Sequence, residues 1–471
     1  MTTLASTPNG DQAVRTDTRA GGYVLLACAA LPTLIYQLAW QPVLSRIFGG
    51  GIEAAAVLTA AFMLAVGVGS LGGGWLSKRR VPLLPSLAAI ELASGALGLA
   101  ALQIFDSAGE VAGSLLTTAA LAVVMVSALP MGASLPMLVC DRVRRRGHAG
   151  APVGLVLCVN FLGAGAGCLI GLLLMLAFAG AQGPLSVAVA GNAAAALGAL
   201  VAHWRGRRGP TVTAGEAPAA GLLRAPLLRR APLLSLAAAV GFVTSSYEIF
   251  FLQTLSYATG SSAIAFAATA SAFLAGLAMG ARQAGANCGV RTRDGAMRRA
   301  VGVLMKGNLL GLLFLPLIAH LGWLDRGIVV AALLMVYLVA RCWGALLPYL
   351  AELGIAADRD AGMRTAILGL ASGLGGAAGA IFTGYGLVDG LGLVATGTAL
   401  VAAGLACALA LVGALALPRA EKILRFSLAA AFGLFAVVIV PRSSANVLER
   451  LQWISASQAA PLAPSADVGG R

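Results

Sequence analysis

Apolar residues in this chain come in long unbroken runs rather than at the spacing of one helical face or one strand face. Twelve runs lie near 22–42, 52–76, 83–104, 114–140, 152–179, 182–203, 233–257, 261–281, 299–321, 326–350, 363–388 and 391–416, separated by short charged or Gly/Pro-rich breaks. Each is long enough to cross roughly 30 Å of hydrocarbon as a helix, so the pattern predicts a polytopic membrane protein. A thirteenth, shorter run, 423–440, precedes a polar tail, 441–471, and its flanks Arg419, Lys422 and Arg425 favour a spanning segment that starts in the cytoplasm. The first 20 residues carry mixed charge and no apolar core, which argues against a cleavable signal peptide.

The runs repeat. "YQLAWQPVLSRIFGGGIEAAAVLTAAFMLAVGVGS" from Tyr36 lies on "YEIFFLQTLSYATGSSAIAFAATASAFLAGLAMGA" from Tyr247 without a gap, at an offset of 211. "PMGASLPML" (130–138) lies on "CWGALLPYL" (342–350), and "LGAGAG" (162–167) on "LGGAAG" (374–379), both at 212. Gly and Ala identities come cheaply in such a chain, so the Tyr, Phe and Pro pairs and the near-constant offset carry the argument. Six helices per half is an even number, so both halves share one orientation. The expected fold is all-α: about 12–13 transmembrane helices in two parallel six-helix repeats, a major-facilitator-like layout. "GGGWLSKRR" (72–80) lacks the Asp and second Gly of that superfamily's loop motif, so the likeness is one of architecture. The expected divisions are a cytoplasmic segment 1–21, a first repeat 22–203, a basic cytoplasmic linker 204–232, a second repeat 233–416, an additional apolar segment 417–440 and the tail 441–471.

Composition agrees with this reading. Of the 471 residues 59 % are hydrophobic and 11 % charged, which excludes a soluble globular surface. The net charge of +14 could suggest nucleic acid, but the basic residues fall in alternate loops: Lys78, Arg79 and Arg80; Arg142 and Arg144 to Arg146; Arg205 to Arg230; Arg282 to Arg299. That is a positive-inside signal. It predicts a multi-pass inner-membrane protein with a cytoplasmic amino terminus, and no nucleic-acid partner is expected. Seven dispersed cysteines and three scattered histidines make no metal-ligand spacing, so neither a metal nor another cofactor is expected.

Four ionisable residues fall near run centres: Glu91, Glu248, Lys306 and Arg341. Each costs about 2.5–3.5 kcal/mol at mid-bilayer on insertion scales, so each must face protein or water. One reading is two buried pairs, Glu248 with Arg341 and Glu91 with Lys306. The other is a lined cavity in which the carboxylates receive a cationic or zwitterionic substrate or protons. The halves differ here, Glu248 standing opposite Gln37, Lys306 opposite Ser94 and Arg341 opposite Leu129, and an architectural device would recur in both. The candidate substrate-binding set is therefore Glu248, Glu91, Gln37, Tyr36, Tyr247, Lys306 and Arg341, the tyrosines for their aromatic faces. With no nucleophile–base constellation and no nucleotide motif, a secondary transporter of a small-molecule substrate is expected rather than an enzyme or a pump.

At these residues the chain resembles the membrane portion of the spermidine synthase-like membrane proteins. Tyr247-Glu248, Gly260, Phe273, Gly276 and Gly280 match that family's first two helices, and Tyr36, Trp40, Gly49, Phe62 and Gly69 match with Gln37 in place of the acid. "ALPMGASLPML" (128–138) and "VNFLGAGAGCLIG" (159–171) are similar to further motifs, and Glu91 resembles the third-helix acid. The resemblance implies polyamine-like substrates. The fused catalytic domain of the relatives has no counterpart in the roughly 30 residues after 440, so no aminopropyl transfer carries over. A soluble synthase-like enzyme docked on the basic loops is the alternative that the resemblance leaves open.

Overall fold

The computed structural model describes residues 27–451 apart from 209–228 and several shorter breaks; residues 1–26, 452–471, the middle of the 204–232 linker and Gly49 and Gly260 of the motifs lie outside the described residues. Helices follow in order: α1 (27–42), α2 (Ile52–Lys78), α3 (Leu83–Ser107), α4 (Ser114–Arg146), α5 (Gly150–Phe178), α6 (Gln182–Arg208), α7 (Arg230–Thr259), α8 (Ser262–Val290), α9 (Arg293–His320), α10 (Gly327–Gly344), α11 (Leu346–Gly354), α12 (Ala361–Ile381), α13 (Val388–Ala414) and α14 (Arg419–Ser443). Among the described residues there is no strand. Twelve helical stretches among the described residues are long and apolar enough to cross a membrane, α10 and α11 together making one of them. With α1 these match the thirteen runs, and the molecule is a multi-pass membrane protein.

The thirteenth run is α14. It is long and apolar enough to span, and among the described residues it packs chiefly on α9 and α13, through Ala429, Ala436 and Val440. Leu424, Leu428 and Leu434 on its other faces stay exposed, as expected of a helix bordered mostly by lipid.

Within each half the packing repeats as the sequence does. A side chain on Gly163 or Gly167 of α5 would strike the carbonyls of Ala27 and Leu31 on α1; on Gly375 or Gly379 of α12 it would strike those of Ala238 and Phe242 on α7. Gly69 of α2 lies on the carbonyl of Leu129, and Gly280 of α8 on that of Arg341. These are the offsets of 211 and 212 in three dimensions, and they explain the glycines: in lipid, helices associate through close backbone approach.

One feature goes beyond the pattern. α12 ends in a π-helical turn, Phe382–Leu387, and α13 bends at Gly392, whose φ of 76° requires glycine. The hydroxyl of Thr396 donates to the carbonyls of Leu387 and Gly392, at 2.9 and 2.8 Å, and holds the bend.

Candidate functional site

The halves meet along two seams, α2 against α12 and α5 against α8. About two turns in from the basic loops on the first, Ser70 Oγ donates to the Ala366 carbonyl at 2.9 Å; at the end that bears those loops, Lys78 Nζ lies 3.0 Å from Asp360 Oδ1. On the second, Ser271 Oγ donates to the Gly165 carbonyl at 3.2 Å, and Gly154 leaves no room for a side chain against Ala281 and Gly285. At the basic end the Gly150 N–H, in the first turn of α5, donates to Glu352 Oε2 at 2.9 Å, with His148 Nδ1 3.7 Å from the same oxygen. Both seams are thus closed at the basic end. In each case the second half supplies the acid and the first half its partner.

At the opposite end a cleft of about 320 Å³ opens between the halves. Gln41 of α1, Glu53 in the first turn of α2, and Leu252, Gln253, Ser256 and Tyr257 of α7 line it. Tyr385, on the π-helical turn, lies within electrostatic reach of Glu53. The next residue but one before it, Thr383, is fully buried, and among the described residues its hydroxyl makes no hydrogen bond. Gly384 between them packs on Ala56 of α2 and Ile249 of α7, so the distorted turn touches both halves. π-Bulges gather at functional sites because they re-aim a helix end and free a backbone group.

The seven residues singled out by sequence divide into three groups. Glu248, partly buried, is within electrostatic reach of Cys168 on α5, whose thiol lies beside Ser271 on α8; it therefore lies toward the first half near the middle of a seam. Gln37 is buried at the equivalent turn of α1.

Tyr36, Tyr247 and Glu91 point elsewhere. Tyr247 precedes Glu248 by one residue, about 100° around the helix, and so faces into the core of its own half. Its ring stacks on Phe251 at 5.5 Å and meets Trp343 at 5.9 Å, and its hydroxyl reaches Gly311 of α9. Tyr36 does the same in the first half. It stacks on Trp40 at 5.4 Å, accepts a hydrogen bond from Asn192 Nδ2 at 3.0 Å, and rests on Gly98 of α3. Glu91 is buried on that face of α3, close to the Tyr36 phenol.

Lys306 and Arg341 form the third group. Lys306 is exposed on the stripe of α9 that carries Leu309 and Leu313, and Arg341 follows Val330 and Leu334 on the outer stripe of α10. Arg341 Nη2 donates to Gln283 Oε1 of α8 at 2.9 Å rather than to Glu248. Among the described residues neither of the two pairs weighed from sequence forms. The register explains part of the difference. Because Tyr36 and Tyr247 rest on Gly98 and Gly311, the offset in this helix is 213, so Lys306 stands opposite exposed Ala93 and not buried Ser94.

Sequence reasoning passed over Gln41, Glu53, Gln253, Tyr385 and the π-helical turn. Glu53 reads as an ordinary acid complementing a helix amino terminus. The signal that could have found the turn is "FTGYGLVDGLG" (382–392), where four glycines within nine residues interrupt an apolar run.

No protein-family model and no curated protein matches this chain. Among solved structures it is similar to the human organic anion transporter MFSD10 (TETRAN), with a TM-score of 0.56 and 13 % identity, over 83 % of this chain and 99 % of that one. A bacterial homologue of the iron transporter ferroportin, in an outward-facing state, aligns with a TM-score of 0.49 and 14 % identity over 83 % and 98 %. At such identity the first likeness shows the fold, a six-plus-six membrane bundle of the major-facilitator type.

Proposed function

We propose that the chain is a secondary transporter that carries a small cationic or zwitterionic solute between its two halves by alternating access. The observation that carries this reading is Glu248. It is a carboxylate in the apolar layer, on the face of α7 turned toward the other half, and among the described residues no cation pairs with it. A charge so placed is costly unless a ligand or a proton neutralises it during the cycle. The closed seams at the basic end and the cleft at the opposite end match one arrangement of such a cycle, with Glu53 drawing cations toward Glu248 and Gln37. By the positive-inside rule the closed end is cytoplasmic and the arrangement is outward-open. Polyamine-like compounds are the first solutes to try, since the sequence resemblance implies them.

The test is solute uptake by proteoliposomes over a panel of polyamines, amino acids and organic anions. Native protein should move a cationic or zwitterionic member. Glu248→Gln should lower that flux about tenfold or more, the scale of one lost charge-assisted contact. Unchanged flux in Glu248→Gln, or flux confined to anions, would overturn the reading.

A further inference from the structure

Two cations inside the apolar layer, Lys306 and Arg341, are not absorbed by the transport reading, and they sit together. Both are within electrostatic reach of the Cys342 thiol on α10. They flank a groove on the outside of the second half, where α8 and α9 each pack on α10 but hardly touch one another. Gln283 closes the α8 side through its bond to Arg341. Arg299 lies below Lys306 on α9, its guanidinium donating to Asn287 Oδ1 of α8 at 3.1 Å. The walls above this polar floor are the exposed side chains of Leu309, Leu313 and Leu334, the surface that acyl chains cover.

Depth matters as much as charge. Lys306 stands seven residues beyond Arg299, about 10 Å along the axis at 1.5 Å per residue, on the leaflet side marked by the basic loops. Long basic side chains at that depth extend toward the headgroups, where a phosphate can meet them. Among the described residues no carboxylate pairs with Lys306, Arg341 or Arg299, so the groove carries uncompensated positive charge. Basic pockets between transmembrane helices on the cytoplasmic side are suited to anionic lipid headgroups.

We infer that the α8–α9–α10 groove is a binding site for an anionic phospholipid of the leaflet facing the basic loops, with Lys306 and Arg341 holding the phosphodiester, Gln283 orienting Arg341, and the leucine walls taking an acyl chain. The site is separate from the path between the halves. The lipid clamps the three helices of the second half that meet in the groove.

The purified full chain in detergent is titrated with phosphatidylglycerol, and in parallel with phosphatidylcholine of the same acyl chains, bound lipid being counted by native mass spectrometry. The native protein should retain phosphatidylglycerol selectively. The double variant Lys306→Gln/Arg341→Gln should retain it about thirtyfold less well, each basic group near the surface contributing about fivefold. Lys306→Arg/Arg341→Lys, which keeps the charge, should bind as the native chain does. Should the double variant elute as aggregate, Lys306→Gln alone decides, with an expected loss of about fivefold. Equal retention of both lipids, unchanged binding in the charge-removing variants, or displacement of the lipid by inorganic phosphate at equal concentration would each overturn the site.

Discussion

In the first half the hydroxyl of Tyr36 rests on Gly98 of α3 and accepts a hydrogen bond from Asn192 of α6, which packs against Gly95 of α3. In the second half Tyr247 rests on Gly311 of α9, but the amide has changed helices: Asn308 stands on α9 and packs against Gly404 of α13. Asn308 donates to the Leu304 carbonyl on its own helix, at 3.0 Å, and among the described residues the Tyr247 hydroxyl has no hydrogen-bond partner. Glu91 on the same face of α3 is matched by Leu304. The two cores keep volume, one small residue against one amide, and let the polar partners drift. The interface positions do the reverse: Gln37 and Glu248 hold equivalent places at nearly equal volume but differ in charge. Shape is the common requirement of the cores, and charge is the variable at the boundary between them.

Glycines inside a half and glycines across a seam give the largest way to break this contrast. Gly280→Leu forces a side chain into the Arg341 carbonyl within one half, where overpacking costs about 1–3 kcal/mol or more, and should abolish monodisperse protein. Gly154→Leu wedges the α5–α8 seam instead, and the halves can part without unpacking. It should leave a folded protein in which Cys288, buried beside Gly150, becomes open to maleimide, as peptide mass mapping would show. Aggregation of both variants alike would mean that the seam is as rigid as a core.

The charge difference at the boundary is sharpened by exchange. Gln37→Glu combined with Glu248→Gln moves the carboxylate to the other half at constant volume. If the solute lies between α1 and α7, proteoliposome flux lost in Glu248→Gln should recover clearly in the double variant. A double variant as inactive as the single one would confine the site to the second half.

How much of this was legible in the sequence follows from what helices show in one dimension. The runs, the repeat and the alternating basic loops set the spans, and the Tyr36/Tyr247 register matched α1 and α2 to α7 and α8, while the pairing of α3 with α9 slipped by one residue. Direction around a helix was harder. Tyr247 and Glu248 are neighbours in sequence, and only packing reveals that one faces the core and the other the seam. Lys306 and Arg341 counted as internal because apolar runs mark depth and not azimuth; a membrane protein has apolar residues on its outside as well. The cleft was hidden because Gln41, Glu53 and Gln253 come from three helices and no one stretch gathers them.

The two tyrosines allow a smaller and cleaner test. Tyr36→Phe leaves the buried Asn192 amide without its acceptor, and should destabilise the first half by about 0.6–2 kcal/mol, seen as a lower melting temperature in detergent. Tyr247→Phe removes a hydroxyl that bonds nothing and is crowded against Gly311, so it should be neutral or slightly stabilising. Equal losses would mean that the hydroxyls fill volume and nothing more.

A difference of about 1 kcal/mol separates the two seams. Glu352 is 2 % exposed and accepts from the first turn of α5 across the halves, whereas Lys78 and Asp360 are 42 % and 54 % exposed. Losing the acceptor in Glu352→Ala strands a buried N–H and should cost about 1–2 kcal/mol of the closed arrangement. Asp360→Asn gives up an ion pair already screened by water, worth under about 1 kcal/mol. Cys288 labelling should therefore rise severalfold in Glu352→Ala and hardly at all in Asp360→Asn, and added salt should erase only the second effect. Since Cys288 lies on the Glu352 side, Cys140, buried against Gly362 beside the other seam, is the matching reporter for Asp360. If Cys140 opened on loss of Asp360 as readily as Cys288 on loss of Glu352, the exposed pair would carry as much of the closure as the buried one, and the difference between the seams would vanish.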